Sequence, residues 1–178
     1  EHINGVDSIF SNTNPDVQIG SAYEQIDFLQ KINITQSPEL FHSFNFQFST
    51  SSDIPRYDRL TLLDNNTPKF AEWYYGPQQR LLASYTLIFN QHGSKLKLFD
   101  YLKLVTAYQN IEESRITRKF QNALRENRME KLNIYTFNLN FFKQINKNEL
   151  KYSIEASYND VTSNAFSNNI FNDSVFNL

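Results

Sequence analysis

The chain has no cysteine, which removes disulfide scaffolds, thiolate zinc sites and cysteine nucleophiles. Glycine is scarce, at four residues, and none sits in a glycine-rich phosphate loop. The histidines, His2, His42 and His92, stand far apart and follow no metal-ligand spacing, so no metal or other cofactor is expected. No Ser/His/Asp arrangement occurs either, and the chain is not expected to be an enzyme. An excess of one charge is also lacking. The formal net charge of -2 implies no nucleic acid and no acidic partner. No apolar run approaches the roughly 18 residues that a membrane helix needs. The start, Glu1-His2-Ile3, shows no Met, basic n-region or apolar h-region. For an exported protein the expectation is a mature terminus or a start in mid-chain.

Aromatics are abundant: 15% of residues, with sixteen Phe and ten Tyr. Yet 20% of residues are charged and the mean hydropathy is -0.55. Many aromatics within a polar average suit strands with one apolar and one wet face. A transmembrane barrel alternates in this way between lipid and lumen, although a soluble β-sandwich can share the composition.

Period two dominates the pattern, and six strands are predicted. Residues 1–18 read as an Asn/Asp-rich loop. The strands lie over about 19–34, 40–49, 79–89, 101–110, 133–143 and 149–159. In the second, Leu40, Phe44, Phe46 and Phe48 share a face with His42, against Ser43, Asn45, Gln47 and Ser49. In the fifth, Tyr135, Phe137, Leu139 and Phe141 oppose Thr136, Asn138 and Asn140. In the sixth, Leu150, Tyr152, Ile154, Ala156 and Tyr158 oppose Lys151, Ser153, Glu155, Ser157 and Asn159. Strands of about ten residues exceed the soluble mean of about five to six and match the nine to eleven that cross a bilayer. Tyr108, Tyr158 and Phe48, near strand ends, would suit interfacial aromatic girdles.

The connections alternate. Ser37-Pro38, Gln91-His92-Gly93-Ser94 and Asn146-Lys147-Asn148 are short, whereas 50–78, 111–132 and 160–178 are predicted to be long loops. Outer-membrane barrels have short periplasmic turns and long extracellular loops, an order that a Greek-key sandwich has no reason to follow. The expected fold is an all-β antiparallel meander of about six long strands.

Three stretches resemble the barrel of TonB-dependent receptors, particularly those of Bacteroidota. They are Asp53-Ile54-Pro55-Arg56-Tyr57-Asp58-Arg59-Leu60, Ala71-Glu72-Trp73-Tyr74-Tyr75-Gly76-Pro77-Gln78 and Ala107-Tyr108-Gln109-Asn110-Ile111-Glu112-Glu113-Ser114-Arg115. The resemblance spans roughly Glu39 to Val161. It implies a segment of a 22-stranded outer-membrane barrel, closed by further strands and plugged by an N-terminal domain. It also implies import of a scarce nutrient (ferric siderophore, cobalamin or glycan class), driven through TonB acting on the plug. Neither a plug nor a TonB box lies within these residues. The implied partners are outer-membrane lipid, the plug and remaining strands of the parent chain, TonB and a small nutrient ligand. An open six-strand sheet leaves two unpaired edges, which lipid does not tolerate. A soluble or surface-exposed β-barrel or β-sandwich binding protein or adhesin is the first alternative. A passive porin is the second, and only the resemblance favours the receptor over it.

Arg56, Tyr57, Asp58, Arg59, Trp73, Tyr74 and Tyr75, in the stretch 50–78, are the candidate ligand contacts at the extracellular mouth. Arg matches carboxylate or phosphate, and Trp and Tyr offer flat faces to sugars or aromatic rings. The plainer reading pairs Arg56 and Arg59 with Asp53 and Asp58 and puts the three aromatics in the outer girdle. Glu112, Glu113, Arg115, Arg118 and Lys119 read as a solvated ion-pair network rather than an acid–base pair. Asn45, Gln47, Lys103, Asn138, Asn140, Lys151 and Glu155 are expected to face the lumen, bonded to plug or water.

Overall fold

The computed structural model describes residues 2–3, 5–91 and 98–178. A small hairpin, β1 (His2–Ile3) and β2 (Val6–Asp7), precedes an irregular stretch. Then come β3 (Gln25–Thr35), β4 (Leu40–Ser51) and β5 (Ile54–Pro55). A single helical turn, α1 (Tyr57–Leu60), and a minimal hairpin, β6 (Leu63–Asp64) and β7 (Thr67–Pro68), follow. The chain continues through β8 (Phe70–Tyr75), β9 (Gln79–Asn90), β10 (Tyr101–Lys119), β11 (Leu124–Ile145), β12 (Asn148–Asn169) and β13 (Val175–Asn177). The fold is all-β. One antiparallel sheet runs in the order β3-β4-β9-β10-β11-β12-β13, with β8 paired to β10 and β5 to β8. The sheet does not close on itself: β3 is one edge, and the length of β12 below its short pairing with β13 is the other.

Directly opposite residues share a face, so the registers assign every side chain. Leu102 is flanked by Phe89 and Phe141, and Leu104 by Leu87 and Leu139. Outward from these, Leu40, His42, Phe44, Phe46 and Phe48 on β4, and Tyr152, Ile154, Ala156 and Tyr158 on β12, continue the same face. Phe28, Ile32 and Ile34 extend it onto β3. The result is an apolar belt across six strands. The opposite face carries Ser43, Asn45, Gln47, Lys103, Asn138, Asn140, Lys151 and Glu155, as the alternation predicts, interspersed with Phe41, Ile88, Val105 and Phe142.

No second layer covers the belt. Phe44, Ile154 and Tyr158 are 45%, 59% and 65% exposed. Among the described residues the only buried apolar side chains are Trp73 and Ile116, and both lie above the belt.

Several expected boundaries are corrected. The first strand starts at Gln25, whose partner Ser51 ends β4; 19–24 have no strand opposite them. The predicted loop 111–132 is the upper half of a hairpin, paired without a break from Ile111↔Leu132 to Arg118↔Arg125 and turned at Gln121, which adopts φ 58°. The predicted loop 160–178 begins as strand to Asn169, turns, and returns as β13. In 50–78, β5 and β8 extend the β4–β9 hairpin, leaving only 56–69 as its tip. Ladder hydrogen bonds form between backbone groups whatever the side chains are, so polar strands pair as readily as alternating ones.

These corrections keep the two ends of the sheet unlike. The turns at 36–39 and 146–147 are tight; Asn146 takes φ 55°. Of the turn predicted at 91–94, His92, Gly93 and Ser94 lie outside the described residues. At the opposite end stand tall hairpins. β11 and β12 have 22 residues each, roughly 75 Å at about 3.4 Å per residue. That is about twice what crosses a bilayer.

Candidate functional site

Two aromatic rows bound the belt. At its lower edge Phe89, Phe99, Phe141 and Tyr152 follow one another with centroids 6.4, 5.4 and 4.7 Å apart. At its upper edge Tyr108, Tyr135 and Tyr158 stand side by side, at 5.0 and 6.2 Å. Each row is backed by polar groups away from the belt. Above, the Tyr108 hydroxyl and the Asn110 amide both donate to Asn133 Oδ1 at 2.9 Å, and Glu112 pairs with Lys131. Below, Lys143 pairs with Asp100 at 2.5 Å. On β4 and β9 the apolar stretch runs nine residues, Leu40–Phe48 and Leu81–Phe89.

Above the belt Arg56, Asp58, Arg59, Trp73 and Tyr75 come together, with Trp73 and Tyr75 on the polar face. β8 resumes the line of β9 after a break at Gly76-Pro77, where Pro77 offers no N–H and Gly76 donates to Ser114 at 3.2 Å. Trp73 lies opposite Thr117 and Tyr75 opposite Arg115, on the polar face; Tyr74 lies opposite Ile116, on the other. Trp73 and Tyr75 meet edge to face at 5.0 Å. The Arg56 guanidinium stands 5.3 Å from the Trp73 ring and 5.6 Å from the Tyr75 ring, and Arg59 covers Trp73 at 5.8 Å. Asp58 takes two hydrogen bonds from Arg56, both 2.8 Å, and lies 3.6 Å from Arg59. The Arg56 hydrogen bond raises Asp58's acidity, holding its carboxyl below the usual range. Tyr57 is exposed on α1.

The plainer reading of these residues is realised in part. Arg56 and Arg59 do pair with Asp58. The three aromatics, however, are not the girdle row. Trp73 is level with Thr117, nine positions beyond Tyr108 on β10, and the upper row is built by Tyr108, Tyr135 and Tyr158. Alternation already put those tyrosines on the apolar side; their alignment needed the register.

The charged group after strand four splits in two. Glu113 and Arg115 face the polar side, whereas Glu112 and Arg118 face the other. Arg118 is 2% exposed and bonds Asp7 at 2.9 and 2.7 Å and Glu72 at 2.8 Å. Arg125 reaches the same Glu72 at 2.6 and 3.0 Å. The Arg118 hydrogen bonds hold the Asp7 carboxyl well below the carboxylate range, against burial. Burial pushes Glu72 up, but the bonds from Arg125 and Arg118 together outweigh it and the net shift is downward. Nothing in the sequence signalled Asp7. His2 lies 2.9 Å from Asp7, and His42 Nδ1 lies 2.8 Å from the Tyr85 hydroxyl.

The chain matches no protein-family model, no curated protein and no solved structure.

Proposed function

We propose that this chain is barrel wall of an outer-membrane TonB-dependent receptor, which binds a scarce nutrient at its outer mouth and passes it inward past a plug. One observation carries the reading: an uncovered apolar belt, nine residues tall on β4 and β9, with an aromatic row at each edge and a polar opposite face. Nine residues is the span of a bilayer strand. Aromatic girdles and a polar interior are what lipid on one side and water on the other demand. Water alone would leave this face open at a large cost in exposed apolar area. Among the described residues no helix is long and apolar enough to cross a membrane, which says nothing about crossing by strands.

In this reading the tight-turn end faces the periplasm and the tall hairpins stand outside the cell. Arg56, Arg59, Trp73 and Tyr75 then overlook the lumen from above, where guanidinium and ring faces hold an anionic or planar ligand. Asp58 orients the two arginines, Tyr57 stands exposed beside them on α1, and Tyr74 faces away. The free edges of β3 and β12 pair with further strands of the same barrel. The role is binding and transport, not catalysis.

A second reading has one observation in its favour. The belt face holds an open cavity of about 730 Å³ lined by Ile32, Phe44, Tyr85, Phe137 and Tyr158 among others. A soluble or surface β-protein would fill it with a second layer or an apolar ligand. Fractionation of cells expressing the full-length protein separates the two. Recovery in the outer membrane, resistant to alkaline extraction, with nutrient uptake lost on deleting TonB, is the expected result. Recovery in the soluble fraction would overturn the membrane reading; uptake that persists without TonB would leave a passive porin.

A further inference from the structure

Just above the belt the contrast between the two faces is lost, and one row reverses it. On the face that is apolar below, the rows become Asn110–Asn133–Asp160 and then Glu112–Lys131–Thr162. On the face that is polar below, Ile111, Leu132 and Val161 form a three-strand apolar row at the same height, bordered on β9 by Arg80. That row is an apolar strip set among polar and charged neighbours on the same face.

Immediately above that row lie two like-charge pairs. Glu113 is directly opposite Glu130, and Arg115 is directly opposite Arg128. Like charges directly opposite on neighbouring strands destabilise the ladder. Here two such pairs are stacked, and their charges are opposite. Arg115, Glu113 and Glu130 make no hydrogen bond or ion pair among the described residues, and Arg128 meets only Glu126, at 3.8 Å. The four side chains and Tyr75 line an open cavity of about 320 Å³. Tyr75 sits across β10 from Arg115, at the arginine end.

We propose that this cavity binds a short peptide with free termini, its carboxylate on the Arg115–Arg128 row and its ammonium on the Glu113–Glu130 row. A purely anionic ligand would meet the two glutamates, and a purely cationic one the two arginines. A zwitterion relieves both repulsions at once. The rows are two residues apart along the strands, on the order of 7 Å, which is about the length of two extended residues. The apolar row of Ile111, Leu132 and Val161 beside the glutamates takes an apolar side chain. The inference rests on the barrel reading only in treating this face as the lumen.

The test uses the full-length protein in detergent, titrated calorimetrically with leucyl-glycine, with its N-acetyl form and with its C-terminal amide. The free dipeptide is expected to bind, and each blocked form about tenfold or more weakly. R115Q/R128Q is expected to erase the discrimination against the amide while keeping that against the acetyl form; E113Q/E130Q does the converse. Equal binding of all three peptides, or no binding by protein with an intact β circular-dichroism spectrum, overturns the proposal. Insertion of the same sample into lipid vesicles is scored separately. Insertion without peptide discrimination sinks this inference alone, and discrimination without insertion sinks the membrane reading alone.

Discussion

Asp7 accepts hydrogen bonds from both terminal nitrogens of Arg118, which lies 111 residues further along the chain, and both side chains are 2% exposed. The pair fastens the N-terminal hairpin to the tip of the β10–β11 hairpin, where Asp7 also accepts from the Gln121 backbone N–H at 2.7 Å. Replacing Asp7 by Asn leaves a buried guanidinium with Glu72 as its one remaining carboxylate, beside the Asn122 carbonyl. Removing one partner of a buried pair costs about 3–5 kcal/mol. D7N is therefore expected to free residues 2–7 to solvent, read as faster amide hydrogen exchange in that segment and in 118–123. Unchanged exchange would show that the pair holds nothing.

The same fastening depends on pH. The folded-state pKa values of Asp7 and Glu72 are both depressed. Groups of this kind contribute stability that is complete above their unfolded values, about 4 for carboxylates, and that is lost as pH falls through the folded values. Residues 2–7 are expected to stay protected from limited proteolysis at pH 7 and to loosen only below about pH 4. Release already between pH 5 and 7 would show that these two carboxylates do not govern the fastening.

Phe137 sits in the middle of the belt, between Thr106 and Ala156, and Asn138 is its neighbour on the polar face. If lipid covers the belt, F137R should weaken insertion by about 2–4 kcal/mol, the cost of Arg at the midplane of a barrel's lipid face. N138R, one residue away, should cost much less. The check is the folding equilibrium of each variant in lipid vesicles. Equal costs would remove the distinction between the two faces.

Trp73 is the sole tryptophan of the chain, so its fluorescence reports on one place. It stands above the upper tyrosine row and on the polar face. Lipids with a quencher in the acyl chain should leave its emission nearly unchanged, while R56Q should shift it by removing a cation from the ring. Strong quenching by the lipid would return Trp73 to the girdle and remove it from the mouth.

Gly76 occupies the break between β8 and β9. A Cβ there would overlap Asp53 Oδ1 and lie 3.1 Å from Asp53 Cγ and 3.2 Å from Tyr74 Cδ2. G76A should destabilise the upper hairpin by about 1–3 kcal/mol, the usual cost of overpacking. D53A/G76A should recover most of it, because the obstruction is a side chain rather than backbone. Thermal melts of the single and double variants measure both; a double variant no better than G76A would place the strain in the backbone.

The sequence alone determined the strands within the belt. Phe44, Phe46 and Phe48 against Asn45 and Gln47, and Phe137 and Leu139 against Asn138 and Asn140, leave one arrangement of the pleat, because a one-residue slip would exchange the apolar and polar sets between the faces. Above the belt that contrast disappears. Ile111–Lys119 and Leu124–Leu132 carry polar groups on both faces, and backbone ladders leave no periodicity when both faces are wet; these strands looked like loops. The mouth residues were legible as residue types, since Arg, Trp and Tyr crowd into 56–75. Which of them share a face was not, because Trp73, Tyr74 and Tyr75 are consecutive and only the register with β10 sends Tyr74 the other way. Asp7, and the facing rows of Glu113–Glu130 and Arg115–Arg128, were decided by tertiary structure alone. Each joins positions whose separation in sequence says nothing about contact, and only the folded chain brings their charges within reach of one another.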